Sequence, residues 1–273
     1  MIVATIARDS INSPNMESND AMILDSVCRE LVATGVDIIR LSAEEEIPAN
    51  CNAVCHMSRN SNTIHKLLEA EKRGIKVINS TTAVNNCSRL NFVKILDDYN
   101  IPQPKYKVFD NDIDIKTLSF PAWIKRGEGW SCHKDDVCFV QNSKEAELAI
   151  ANMHKRGIEK YIYTEHCQGD IIKFYGVGQE FFHFSYPDPD KSKFGLEKIN
   201  GAPKQYPFDH QRLKEIVFSA AKHIGLQIYG GDCIITNNGE IFLIDINDFP
   251  SFSIIREKAA KEIAKNIMNT IRQ

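Results

Sequence analysis

Residues 230–247 read Gly230-Gly231-Asp232-Cys233-Ile234-Ile235-Thr236-Asn237-Asn238-Gly239-Glu240-Ile241-Phe242-Leu243-Ile244-Asp245-Ile246-Asn247. Asn238-Gly239 between two β-rich runs is a strong signal for a two-residue hairpin turn. Counting outward from that turn pairs Asn237 with Glu240, Ile235 with Phe242 and Asp232 with Asp245. Side chains alternate across a strand. Cys233, Ile235, Phe242, Ile244 and Ile246 therefore share a core face, and Asp232, Asp245 and Asn247 share the other. Opposed cross-strand Cβ atoms lie roughly 4.5–5.5 Å apart, where like charges repel. A hard divalent cation balances such a pair, and Mg2+ takes oxygen ligands that it shares with substrate phosphates. Water at a solvated sheet end would screen the same repulsion without a metal. A three-residue loop would offset the pair but still cluster the three oxygens.

Asp248-Phe249-Pro250-Ser251-Phe252-Ser253 cannot extend the second strand. The reading here is a turn that swings over the metal candidates into a last helix near Ile254–Ile271. Arg256 lies in that helix's first turn and reads equally well as facing an anionic substrate or facing water.

Upstream, residues 1–79 alternate strand and helix patterns. Strands are expected at Ile2–Ile6, Asp37–Leu41, Ala53–His56 and Ile75–Ile78, with helices near Asp20–Thr34 and Asn62–Arg73 stopped by Gly35 and Gly74. This is a parallel, Rossmann-like α/β unit, without the Gly-x-Gly-x-x-Gly of a dinucleotide site. A helical stretch at Val84–Asn100 ends at Ile101-Pro102-Gln103-Pro104, where two prolines forbid continuation. Strands at Tyr106–Phe109, Pro121–Lys125, Val137–Gln141 and Lys160–Thr164, with a helix at Lys144–Arg156, describe a small α+β unit. Further strands are expected at Ile171–Val177 and Glu180–Tyr186, and a helix at His210–His223. The polar stretch from Pro187 to Pro207 is the candidate mobile segment.

Two further stretches carry chemistry. Lys125 ends a strand and runs into Arg126-Gly127-Glu128-Gly129-Trp130-Ser131-Cys132-His133. A cation followed by a loop with two glycines suits phosphate binding, although a hairpin loop with a surface lysine has the same pattern. Tyr161–Asp170 leaves the small unit through a turn whose backbone at Thr164, Glu165, His166 and Cys167 could meet a flat base; an ordinary connector reads the same way. Lys173, on the next strand, is either a substrate cation or a surface residue.

Composition bounds the rest. At 273 residues the chain has room for about two domains. With 43% hydrophobic and 25% charged residues it falls outside the disordered, collagenous and coiled-coil classes. Lys+Arg of 33 against Asp+Glu of 36 gives a net charge of −3, which offers no footprint for nucleic acid. No apolar run approaches the ~18–20 residues of a membrane span. The start reads as a strand rather than a signal peptide. The 8 cysteines are accordingly read as reduced thiols in a cytoplasmic protein. Cys51, Cys55 and His56 fit no zinc spacing.

Taken in order, these pieces resemble the ATP-grasp superfamily over about residues 80–265. Val77-Ile78-Asn79-Ser80 resembles the entry to the central domain, and Asn100-Ile101-Pro102-Gln103-Pro104 resembles the family's "gly-ile-pro-x-pro" turn. Asp232…Asp245-x-Asn247 is similar to the metal set of D-alanine–D-alanine ligases and ribosomal-protein glutamate ligases. Ser131-Cys132-His133 and Ile244–Pro250 are also similar to segments of ATP-grasp inositol polyphosphate kinases.

The resemblance implies an N-terminal α/β domain (1–80), a helical connector (81–104), a small subdomain with a glycine loop (105–167) and a C-terminal subdomain with a metal site (168–273). It implies ATP in a cleft between the two α+β subdomains. Lys125 and Arg89 would lie on the phosphates under the loop of Gly127, Gly129 and Ser131. Thr164–Cys167 would lie on adenine, and Asp170 near the ribose. Asp232, Asp245 and Asn247 would hold Mg2+ or Mn2+. Arg89 stands where the family commonly has Lys, and Asp245 where ligases often have Glu.

The implied reaction is ligation of a carboxylate to an amine through an acyl-phosphate. The substrate would be a small molecule or peptide with an anionic group, held by Lys173 and Arg256. The alternatives are an ATP-grasp kinase using His133 and Lys173 toward its substrate, and a nucleotide-binding module without catalysis. Neither nucleic acid nor membrane is an expected partner, and the oligomeric state is not readable.

Overall fold

The computed structural model describes residues 1–13, 16–110, 113–187 and 196–273. The described residues build three four-stranded sheets in sequence order. The first contains β1 (Ile2–Ile6), β2 (Asp37–Leu41), β3 (Ala53–His56) and β4 (Lys76–Ile78), all parallel, in the order β2-β1-β3-β4. α1 (Glu17–Ala33) and α2 (Ser61–Lys72) make its crossovers. Asn60 caps α2, its side chain accepting from the Asn62 and Thr63 amides. Gly35 and Gly74 follow these helices with φ of 82° and 86°, a conformation that costs glycine nothing.

The expected single helix over Val84–Asn100 is two: α3 (Thr81–Asn86) and α4 (Arg89–Asp98). The break at Cys87-Ser88 gives α4 its own start, with Ser88 at the extended N-cap position. Arg89 thereby becomes the first residue of a helix. The second sheet holds β5 (Tyr106–Phe109), β6 (Ala122–Arg126), β7 (Val137–Val140) and β8 (Tyr161–Glu165) in the order β5-β8-β6-β7. α5 (Ser143–His154) covers one face of it.

The third sheet has the order β10-β9-β11-β12, all antiparallel neighbours: β9 (Asp170–Val177), β10 (Phe181–Ser185), β11 (Ile228–Ile235) and β12 (Ile241–Asp248). α6 (His210–Ile224), α3 and α4 pack on it around Phe174, Leu213, Val217, Leu243 and Leu96. Of the candidate mobile segment, residues 188–195 lie outside the described residues. Residues 196–207 are pinned: Asp170 accepts from the Lys204 and Tyr206 amides at 2.7 and 2.9 Å.

The last helix, α7 (Arg256–Arg272), bridges two sheets: it meets β9 of the third, where Val177 and Ile228 join its core, and reaches the first. It packs beside α1 on the first, sharing a core with Ile23, Val27, Leu31 and Ala53. The turn after β12 follows the same route. Phe249 and Phe252 are fully buried in this N-terminal core, so the turn heads into that core rather than over the carboxylates. Asn79 fastens the two units. Its amide donates to the Ile228 carbonyl at 2.7 Å, and its oxygen accepts from the Gln227 and Ile228 amides at 2.8 and 2.9 Å.

Candidate functional site

The β11–β12 hairpin is built differently from the expectation, yet it delivers the same pair. Its loop is a residue longer: Thr236 faces Glu240 across a turn closed by a Gly239-to-Thr236 bond, with Gly239 at φ 83°. Ile235 therefore faces Ile241, and Ile234 faces Phe242. A register shift between Cys233 and Asp232 then restores the Asp232–Asp245 pairing. The two one-residue offsets cancel. The bulge also changes the faces. Ile244 and Asp245 both look into the cleft, and Leu243, not Phe242 or Ile244, joins Cys233, Ile235 and Ile246 in the core.

The cleft between the second and third sheets is a cavity of about 340 Å3. At one end lie Asp232, Asp245 and Asn247. The repulsion between the carboxylates is met by Lys173, whose Nζ sits 3.1 Å from Asp232 Oδ1. Lys173 is the cross-strand neighbour of Asp232 on β9. Asn247 Nδ2 donates to Asp245 Oδ2 at 2.8 Å. An all-oxygen set of two carboxylates and an amide suits Mg2+, so the residues present fit that ion.

Lys125 on β6 and Arg89 at the start of α4 face the same space. Arg89 donates to the Arg126 carbonyl at 3.2 Å and to the Ser131 hydroxyl, tying the glycine loop to α4. Burial pulls the Lys125 amine down from its ordinary 10.5 to about 8, and Arg89 beside it adds to the shift. Burial likewise lowers Arg89. Both groups are short of counter-charge, as cations awaiting a phosphate would be.

At the other end the walls turn apolar, with Ile171, Ile234, Trp123 and Leu196 around Thr164, Glu165, His166 and Cys167. Glu165 N and His166 N are spent on the Lys105 and Pro121 carbonyls. The Cys167 amide makes no hydrogen bond among the described residues. Trp123 Nε1 donates to His166 Nδ1 at 3.2 Å, which fixes the ring wall of this end.

Gly127, His133, Asp170 and Arg256 do not line this cavity. Gly127 is buried against β8, where an added Cβ would lie 2.8 Å from the Lys160 carbonyl oxygen, so it serves a close backbone approach. His133 is half-exposed and caps the 3-10 turn Lys134–Asp136, accepting from the Asp135 amide. Asp170 is buried and occupied by the Lys204 and Tyr206 amides, which leaves it no face toward a ribose. Arg256 turns to α1 and donates to Asn19 Oδ1 at 3.0 Å.

Other residues enter the site unannounced. Asp136, fully buried, accepts from the Cys132 and His133 amides at 2.9 Å and from Arg156 at 2.7 Å, anchoring the glycine loop. Burial opposes its charge, but these donors win and hold it below the usual carboxylate range. Asn200 donates to the Cys167 and Gly169 carbonyls and forms part of the cavity wall. Arg59, from the first sheet, reaches the cavity beside Asn247. Its position just past β3 was a usable signal, because open α/β sheets bind ligands beyond their strand C-termini. None of the 8 cysteines is paired. No helix among the described residues is long and apolar enough to cross a membrane.

No protein-family model matches the sequence, and no curated protein matches it. Solved structures do. The chain is similar over 100% of its length to 97% of a D-alanine–D-alanine ligase from Bacillus anthracis, with TM-score 0.73 and 12% identity. It is similar over 99% to 99% of the VanG D-Ala:D-Ser ligase from Enterococcus faecalis, with TM-score 0.72 and 15% identity. It is similar over 98% to 100% of a RimK domain ATP-grasp protein from Sphaerobacter thermophilus, with TM-score 0.70 and 14% identity. At these identities the likeness shows the fold: an N-terminal parallel α/β sheet followed by α+β subdomains of the ATP-grasp kind.

Proposed function

We propose that this protein is an ATP- and Mg2+-dependent ligase that joins a carboxylate to an amine on a small molecule or peptide, through an acyl-phosphate. One observation carries the reading: two half-buried cations, Lys125 and Arg89, and a carboxylate pair, Asp232 and Asp245, converge on one cavity. The opposite end of that cavity is apolar and offers the Cys167 amide, which makes no hydrogen bond among the described residues. This polarity suits a nucleoside triphosphate. A ligase of the same fold from Bacillus anthracis was solved in complex with ATP, and the similar proteins include D-alanine–D-alanine and D-Ala:D-Ser ligases.

Asp232, Asp245 and Asn247 would hold Mg2+, which when bound neutralises charge on the phosphates. Lys125 and Arg89 answer the same charge from the other wall, and Ser131, Gly129 and Trp130 close over it. The Cys167 amide and the side chains of Ile171 and Ile234 orient the base. A substrate carboxylate oxygen then forms a bond to the γ-phosphorus. The bond from that phosphorus to the β,γ-bridging oxygen breaks, and ADP leaves with the electron pair. Attack of an amine on the acyl-phosphate carbonyl expels phosphate. The protein's share is positioning and charge stabilisation.

The kinase alternative needs His133 near the substrate, and that ring is engaged in a cap outside the cavity. The test is incubation of the protein with ATP, Mg2+ and a pool of amino acids. ADP with free phosphate, dependent on both a carboxylate and an amine, is the expected result. ADP without free phosphate would replace the ligase with a kinase.

A further inference from the structure

We infer that Arg59, contributed by the N-terminal sheet, receives the carboxylate of the acyl substrate and so makes that sheet part of the reaction site. This rests on the ligase reading and names a residue and a ligand chemistry for its second substrate.

In the order β2-β1-β3-β4 the topological switch point lies between β1 and β3, and ligands of open α/β sheets sit outside the strand C-termini there. Arg8 follows β1 and Arg59 follows β3. Both converge on Asp248, the residue after Asn247. Arg59 Nε lies 2.8 Å and Nη2 2.5 Å from Asp248 Oδ1. Arg8 donates to the Asp248 and Phe249 carbonyls at 3.1 and 2.7 Å and lies 3.8 Å from Asp248 Oδ2. One carboxylate, 2% exposed, is thus shared by guanidinium groups that are 6% and 7% exposed. Arg8 has Asp20 as a second partner at 3.1 Å; Arg59 makes no second ion pair among the described residues, although the Asp245 charge also acts on it.

A guanidinium offers two edges that each fit a carboxylate in fork geometry. Arg59 spends its Nε/Nη2 edge on Asp248. On the Nη1/Nη2 edge, Nη1 has no partner among the described residues, and Nη2 has only the 3.4 Å contact to Asn247 Oδ1. The Trp130 ring lies under the guanidinium, 5.2 Å from centroid to Cζ, and fixes its plane. The remaining edge adjoins the residues assigned to Mg2+ and the phosphates. Of the other cations, Lys173 is paired with Asp232, Arg256 meets Asn19 outside the cavity, and Lys125 and Arg89 are assigned to the phosphates.

The chain has 2 tryptophans, Trp123 and Trp130, and both line the cavity. Trp123→Phe leaves Trp130 as the sole indole reporter, against the Arg59 guanidinium. In that background, with saturating Mg2+ and a non-hydrolysable ATP analogue, emission is titrated with acetate, succinate, L-glutamate and D-alanine, and with succinamide and alaninamide as uncharged counterparts. The expected result is saturation by at least one carboxylate and by neither amide. Adding Arg59→Gln should weaken that carboxylate at least about tenfold, as expected for one charge-assisted bidentate contact, while the analogue's affinity stays within about twofold. If the Gln variant does not fold, Arg59→Lys keeps the charge without the fork and should still weaken the carboxylate several-fold. Equal carboxylate affinity in the Arg59 variants, saturation by the amides, or no response to any carboxylate overturns the assignment. The analogue titration is read separately: failure of the analogue to bind the parent protein would sink the nucleotide reading instead.

Discussion

Lys125 ties nucleotide affinity to pH. Its side chain is half-buried, and that burial together with the Arg89 charge beside it pulls the amine to about 8 from an ordinary 10.5. With a pKa of about 8, roughly nine-tenths of the free protein carries this charge at pH 7 and roughly one-tenth at pH 9. A triphosphate against the amine favours the charged form and returns the pKa toward its ordinary range. Binding therefore takes up a proton above pH 8, and affinity is greatest below pH 8 and falls as pH rises through it. Between pH 7 and 9 the Kd of Mg·ATP should rise about tenfold, close to 1.4 kcal/mol. Over that range the nucleotide's own phosphates are already ionised. Cys167, which also faces the amine, is pushed up by burial and by Glu165, away from this window. Calorimetric titration in buffers of different ionisation enthalpy reads both the Kd and the proton uptake. Lys125→Arg keeps the charge without a titration in this range and should flatten the profile. A flat profile in the parent protein, or an unchanged slope in Lys125→Arg, would take Lys125 off the phosphates.

Other outcomes follow from the same geometry. Asp245→Ala should abolish Mg2+-dependent ATP turnover while circular dichroism and melting temperature stay near those of the parent; retained turnover would remove Asp245 from the metal set. Asp248→Ala leaves Arg8 and Arg59 buried without their shared counter-ion and should cost about 3–5 kcal/mol in urea denaturation; a loss under about 1 kcal/mol would contradict the charge cluster. In Gly231→Ala the new Cβ would stand 2.1 Å from the Asp245 carbonyl oxygen, so a loss of at least about 1–3 kcal/mol is expected, read by thermal unfolding. Asp170→Ala should speed proteolysis within residues 196–207 and leave the ATP to 2′-deoxy-ATP affinity ratio unchanged; a changed ratio would put Asp170 back on the ribose.

The carboxylates were legible because they interrupt otherwise apolar strands at a spacing that opposes them. The register that brings them together was legible only in its sum: a longer loop and a bulge, each worth one residue, cancel between Thr236 and Asp245. That is also why Ile244 was placed on the wrong face. Strand periodicity located nearly every element of the sheets, since alternation and turn residues are local. The break at Cys87-Ser88 escaped because the apolar spacing runs on through it. His133 and Asp170 read as site residues because polar side chains that satisfy backbone amides look, in a string of letters, like those that meet ligands. Arg59 escaped for a different reason: its partners Asn247 and Asp248 lie 188 and 189 residues away along the chain, and only the packing of the segment after β3 against the end of β12 makes them neighbours.

The proposed function stands on one step, the attack of a carboxylate oxygen on the γ-phosphate of ATP in this cleft. Its most direct test supplies an amino-acid and dicarboxylate pool labelled with 18O in the carboxyl groups, together with ATP and Mg2+, and measures the isotope in the released phosphate by mass spectrometry. One labelled oxygen is expected in each phosphate formed in step with ADP, and none with Asp245→Ala. Phosphate released without label, or ADP formed without phosphate, would contradict it.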